Sequence, residues 1–375
     1  MRHLARSHTR NHTRNHKKNK MRRKKHPKRT QIIYKILPIN DLKYTSPKEP
    51  MKICLVGPGI LPIPPPGWGA TEILIWEYYQ ELKRNHDVTI VNPIRRTPED
   101  SQPNTEYTRK LIQTINDARY DFVHLHYDCL YHILTHLKAP HKAITSHYPF
   151  LNQIERHASD GFTPIFRFLC EQSQAYLFVL SNQDEAVFLK HGVPPSRIVL
   201  CLNGSNPSTI QQNPRGLYES KSIYIGKVEP RKRQHLFDTI PNLDFYGPGA
   251  NTSNPSYKGE MNHADLMKLL PHYGNLVLLS SGEGTPLVVK EALMAGLPIV
   301  ISECCAADLD AKPYIDIVPE ERIHDKEYVS NLLEASRQKK QRFTHEIRTY
   351  AESRFSWQAL MKTYVGNIER ILSKN

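Results

Sequence analysis

The residues best suited to chemistry lie in Ser280-Ser281-Gly282-Glu283-Gly284-Thr285-Pro286 and the Leu-Val-Val-Lys-Glu-Ala-Leu-Met-Ala-Gly that follows, with Glu283 and Glu291 eight positions apart. Two glutamates at that spacing signify little alone, because Glu is common. Their setting is informative. Thr285 reads as an N-cap, Pro286 fits the first helical position, and Gly296 followed by Pro298 stops the helix. Except for Lys290 and Glu291 the helix is apolar, which predicts burial around most of its circumference. Glu291 has Leu287, Val288, Met294 and Ala295 at i±3 and i±4, and a carboxylate there is costly without partners; the hydroxyls of a ribose would serve. Glu283 stands in the loop with the backbone donors of Gly284 and Thr285, beside the positive end of the helix.

Three further segments have the same character of a strand end rich in polar groups. In Gly226-Lys227-Val228-Glu229-Pro230-Arg231-Lys232-Arg233, four cations follow a strand before or within the first turn of a helix. Cations there oppose the helix dipole, and a bound diphosphate would account for them; the alternative is a solvated basic turn. The loop 57–72 is not a dinucleotide fingerprint, since after Gly57 and Gly59 the third glycine position is Pro62. Gly67 and Gly69 are its informative glycines, because they precede a helix predicted over about Thr71–Arg84 and would let backbone N–H groups approach an anion. A Pro-rich surface loop is the alternative. His147, in Ser146-His147-Tyr148, directly follows a strand; His124 and His126 share one face of another, which suggests packing.

The elements that must position these residues alternate between short β-branched runs and longer helical patterns, the signature of βαβ units. Strands are predicted at 52–57, 88–91, 122–125, 143–145, 177–180 and 198–202, then at 222–225, 244–246, 276–279, 298–301 and 315–318. The expected architecture is two Rossmann-like, doubly wound parallel-sheet domains. The organisation expected is a basic tail and leader over 1–50, a first domain over 51–205, a linker over 206–220, a second domain over 221–345 and C-terminal helices over 346–375. The last helix has Ser356 as cap and a stripe of Leu360, Met361, Tyr364, Val365, Ile368, Ile371 and Leu372.

Charge is concentrated in the tail. Lys and Arg number 51 against 37 Asp and Glu, and 13 of those cations fall in residues 1–30, leaving 38 against 37 for 31–375. With almost no apolar side chains, residues 1–30 are predicted to be disordered. The tail is read as a polyanion- or membrane-surface-binding arm, or as a solvated extension. No apolar run is long enough to span a membrane. Six Cys without CxxC spacing fit reduced thiols and argue against a zinc site. A cytoplasmic location follows as the expectation, with peripheral contact at a membrane surface as an option.

Taken together, the motifs resemble the retaining glycosyltransferases of family 4, which have the GT-B fold, two Rossmann-like domains facing across a cleft. The donor-site signature stands as EGTPLVVKEALMAGLP, Glu283–Pro298, and the phosphate motif as GKVEPRKR, with Lys227 in place of the usual Arg and Arg233 in place of Gly. The Gly-Gly-x-Glu loop appears as Gly69-Ala70-Thr71-Glu72, the strand-end His as His147, the domain-crossing Asn-Gly as Asn203-Gly204 and the start of the closing helix as Phe355-Ser356-Trp357. The resemblance covers about residues 51–373.

It implies transfer of a sugar from a nucleoside-diphosphate sugar, with retention of anomeric configuration and no cofactor or metal, to a glycan, lipid or protein acceptor. Lys227 and Lys232 would hold the diphosphate and Glu291 the ribose. Glu283 with the amides of Gly284, Thr285 and Leu287, across Pro286, would hold the sugar, reached by His147 from the other domain. Gly67 and Gly69 would line the cleft. Asp308-Leu309-Asp310 spells the triplet of metal-dependent transferases but falls outside the matched motifs. A nucleotide-sugar epimerase of the same fold, or a non-catalytic glycan- or polyanion-binding protein, are the alternatives.

Overall fold

The computed structural model describes residues 49–212, 215–249 and 253–374; the predicted tail over 1–30 lies outside them. In the first half, β1 (Lys52–Val56) leads through α1 (Ala70–Leu82) to β2 (Asp87–Val91), and α2 (Glu106–Ala118) to β3 (Phe122–Leu125) and β4 (His141–Ile144). A short α3 (Thr163–Arg167) precedes β5 (Tyr176–Val179), and α4 (Asn182–Lys190) precedes β6 (Ile198–Leu200). The second half runs β7 (Tyr218–Ile225), α5 (Gln234–Phe237), β8 (Leu243–Tyr246), β9 (Tyr257–Gly259), α6 (His263–Leu269), β10 (Tyr273–Leu278), α7 (Leu287–Met294), β11 (Ile299–Ser302) and β12 (Ile315–Val318). It closes with α8 (Lys326–Phe355) and α9 (Trp357–Leu372).

The strands form two six-stranded sheets, ordered β2-β1-β3-β4-β5-β6 and β12-β11-β10-β7-β8-β9, with every pairing parallel. This is the two-sheet, Rossmann-like architecture expected. Each order reverses at one point, between β1 and β3 and between β7 and β10, and open parallel sheets bind ligands beyond the strand ends at such points. The loops after β1, β7 and β10 are three of the four that sequence singled out; the fourth, with His147, follows β4.

The central strands of each sheet are buried on both faces, so they read as apolar runs; β10, for example, is buried at every residue. The stripe on α9 belongs to the core of the first half, not the second. Met361, Tyr364, Ile368 and Ile371 are buried with Trp357 against Ile53, Leu55 and Leu74, so the chain crosses back after α8. Ser356 caps α9 by accepting from the Ala359 N–H.

Several boundaries differ from those expected. β7 begins at Tyr218, inside the stretch assigned to a linker over 206–220. β9, a three-residue edge strand, is not among the predicted strands. α8 runs unbroken through position 345, the expected end of the second domain. At α7 the cap is corrected: Thr285 has φ 52, Pro286 is extended at the N-cap with no side-chain capping bond, and the helix starts at Leu287.

Candidate active site

The loops at the two switch points enclose a cleft of about 490 Å³ between the two sheets. All of the predicted site residues line it: Glu283, His147, Lys227, Lys232, Gly284, Thr285, Pro286, Leu287, Glu291, Gly67 and Gly69.

At its centre stands Glu283, whose side chain is only 8% exposed. Its Oε1 accepts from Lys232 Nζ at 2.5 Å and lies 2.9 Å from Arg231 Nη1. Burial pushes the Glu283 carboxyl up, but Lys232 and then Arg231 outweigh it and hold the group below its ordinary 4.5. The Arg231 guanidinium is itself pinned, donating to the Gly282 carbonyl and to Glu229 Oε1, each at 2.6 Å. Burial opposes its charge, yet the two carboxylates raise it above its ordinary value. Arg231 was not singled out from sequence as a site residue. Arg233, the last cation of the run, faces away and pairs with Glu320.

Glu291 has the partner that its buried position requires. His263 Nε2, from the first residue of α6, lies 2.7 Å from Glu291 Oε1. Burial lowers the His263 pKa, but Glu291 and then Glu77 of α1 more than compensate, so the imidazole is raised above its ordinary 6.5. The carboxylate thus favours the charged imidazole, in which the bond is charge-assisted. Burial also raises the carboxyl of Glu77.

The first half contributes from the other wall. His147 Nε2 is buried without a hydrogen-bond partner, and burial lowers this imidazole to about 4, so it is neutral at physiological pH. His126 packs on Tyr78 and His124 with both ring nitrogens unpaired among the described residues, whereas His124 is satisfied by Tyr364 and Thr145, each at 2.9 Å. Gly69 has φ 128, and a Cβ there would meet Glu72 Oε2 and Leu61 at 2.9 Å. A Cβ at Gly67 would stand 2.8 Å from Glu260 Oε1 of the opposite wall. Next to it the half-exposed Trp68 lies beneath Lys227, whose Nζ is 5.7 Å from the ring centroid.

The donor-side loop is locked to the first half at three points. Asn203 Nδ2 donates to both the carbonyl and Oγ1 of Thr285 at 2.9 Å, which holds Thr285 in its left-handed conformation. Phe150 packs so closely on Gly282 that a Cβ would approach it to 2.1 Å. A Cβ at Gly284 would stand 3.4 Å from the His147 carbonyl oxygen. Asp308 is remote from this chemistry, in a fully buried pair with Lys290 at 2.8 Å. Among the described residues no three His, Cys, Asp or Glu are grouped as metal ligands, and no helix is long and apolar enough to cross a membrane.

No family model and no curated protein matches the chain. Solved structures do. Anabaena HepE in complex with UDP-glucose aligns over 87% of this chain and 100% of its own at 13% identity, TM-score 0.66. Sucrose-phosphate synthase from Thermosynechococcus elongatus aligns over 88% and 100% at 15% identity, TM-score 0.66. WaaG, a glycosyltransferase involved in lipopolysaccharide biosynthesis, aligns over 83% and 98% at 14% identity, TM-score 0.62. At such identities the likeness is one of fold. The fold is GT-B.

Proposed function

We propose that this chain is a retaining glycosyltransferase of family 4 that transfers a sugar from a nucleoside-diphosphate sugar to a hydroxyl-bearing acceptor without a metal ion. The observation that carries the reading is Glu283, a buried carboxylate kept ionised by Arg231 and Lys232 at the switch point of the second sheet. A sugar there can donate its hydroxyls to the carboxylate while its diphosphate meets Lys227, Lys232 and the amide end of α7. Those groups would stabilise the charge that develops on the leaving diphosphate, the largest contribution available to such a site.

The other residues take roles consistent with this. Glu291, oriented by His263, accepts from ribose hydroxyls. Neutral His147 has a ring nitrogen free for a sugar hydroxyl. Gly67 and Gly69 keep the facing wall open. Lys227 is exposed and lies over Trp68, and among the described residues it is in no ion pair, so it can swing to phosphate. The carboxylates sit too differently for an acid–base pair: Glu283 is bound to two cations and Glu291 to His263. Retention without a protein nucleophile follows from the family resemblance.

UDP-glucose, bound in the HepE structure, is the first donor to test, within a screen of nucleoside-diphosphate sugars for thermal stabilisation. A stabilising donor should then be consumed only with an acceptor. Stabilisation by no nucleotide sugar, or turnover to an isomer without acceptor, would overturn the reading.

A further inference from the structure

Behind the Glu283 loop lies a feature that the transfer reaction does not use. Cys304 and Cys305 are adjacent in a 3-10 turn at the end of β11, with their sulfurs 4.0 Å apart. Cys304 is half-buried and Cys305 fully buried. The Cys304 S–H donates to the Ser280 carbonyl at 3.2 Å, alongside the Ser302 hydroxyl at 2.7 Å. Ser280 is the residue from which the loop to Glu283 departs. The pair thus touches the root of the loop on one side and the surface on the other. The remaining cysteines, Cys54, Cys129, Cys170 and Cys201, stand singly in the first half.

We propose that Cys304 and Cys305 form an oxidisable vicinal dithiol, closed to a disulfide by a hydroperoxide, and that closure loosens the loop that carries Glu283. The Cys304 thiolate attacks the peroxide O–O bond, giving a sulfenic acid and releasing water or alcohol. Cys305 then attacks the Cys304 sulfur, the S–O bond breaks and a second water leaves. Two thiols lose two electrons in all and the hydroperoxide gains them. The contact with Cys305 first, and that with Ser302, hold the Cys304 thiol below its ordinary value against burial, while burial keeps Cys305 well above. Cys304 is accordingly the attacking sulfur and Cys305 the resolving one.

A disulfide brings the sulfurs to about 2.0 Å, so closure must withdraw Cys304 from the Ser280 carbonyl and draw Cys305 out of its place among Ser302 and the Leu278 carbonyl. A ring closed between neighbouring residues is strained, which makes it readily reducible and the oxidation reversible.

The chemistry is tested on the full-length protein, oxidised with one equivalent of hydrogen peroxide and mapped by mass after alkylation. The expected product is a peptide spanning both residues that has lost two hydrogens, resists alkylation and recovers both thiols with dithiothreitol. Oxidation at other cysteines first, or accumulation of sulfinic acid on Cys304 while Cys305 still alkylates, would overturn the proposal. The effect on the loop rests on the transferase reading and is measured separately. Oxidised protein should lose turnover about two- to tenfold, the worth of one hydrogen bond to the loop, with recovery on reduction and no such loss in Cys305→Ser. Unchanged turnover with the disulfide formed would overturn the coupling alone. Reduced protein without transferase activity would overturn the functional reading and leave the dithiol result standing.

Discussion

Glu283 holds two cations at once, so replacing it does more than remove a carboxylate. In Glu283→Ala, Lys232 and Arg231 face one another without their shared partner, Arg231 keeping only Glu229, and diphosphate becomes the natural replacement anion. Transfer should fall by about 10²-fold or more, while binding of nucleoside diphosphate itself persists or tightens. Steady-state turnover beside a titration with the diphosphate separates the two, and turnover that survives undiminished would dismiss Glu283 from the reaction. A second prediction concerns pH. His263 is raised by Glu291, so the stability that their bond contributes is full below the ordinary 6.5 and is lost as pH rises through the raised folded value. Melting temperature should therefore decline on the alkaline side of 6.5, and His263→Gln should flatten that decline. An identical slope in the variant would mean that the pair contributes nothing. Neither pairing was legible in the chain. Glu283 and Lys232 were readable as separate contacts, from a turn and from cations at a strand end. The bond between them joins positions 51 apart, and His263 meets Glu291 across 28. Sequence did show that Glu291 required a partner. It could not show that a histidine, inconspicuous at the start of an ordinary helix, would be one.

Elements whose pattern is set by burial on both faces were the legible ones. The β-branched runs at β1, β3 and β11 and the stripe on α9 follow from the core they enter. β9 was not, because a three-residue edge strand of Tyr, Lys and Gly has no periodicity to read. The start of α7 was misread for a more instructive reason. Thr285 and Pro286 satisfy the local rules for an N-cap and a first helical position, but a tertiary bond prevails over them. Asn203 takes both the carbonyl and the hydroxyl of Thr285 and holds the residue at φ 52, which aims the loop at the cleft. This crossing segment is fixed at its other side as well, since the Ser205 N–H donates to the Phe355 carbonyl at 2.8 Å where α8 meets α9. Asn203→Ala breaks two bonds in a buried place and should cost about 1–3 kcal/mol of stability, read by denaturant unfolding. It should also raise the donor KM more than it lowers kcat, because the loop is mispositioned but Glu283 remains. A stability loss without any change in KM would show that Asn203 only joins the two halves and does not shape the donor loop.

At the scale of the whole molecule, the two sheets form a nearly neutral body and residues 1–30 supply 13 of the 51 cations. On the proposed function, donor recognition would belong to the cleft and attraction to polyanions to the tail. The two should separate on deletion of residues 1–50. A saturating donor stabilises whatever binds it by an amount set only by its concentration and Kd, about 2.7 kcal/mol at 100 times Kd. The shortened protein should therefore keep the same donor-induced shift in melting temperature and the same turnover on small soluble acceptors. Its retention on heparin or on vesicles containing anionic lipid should fall, and the steep salt dependence expected of clustered Lys and Arg should fall with it. An acceptor presented on an anionic surface would separate the two proteins further, because only the full chain would be concentrated there and its advantage would vanish at high salt. Loss of the donor-induced shift on deletion would mean that the tail completes the cleft. Undiminished heparin binding would mean that the charge that matters lies on the folded body.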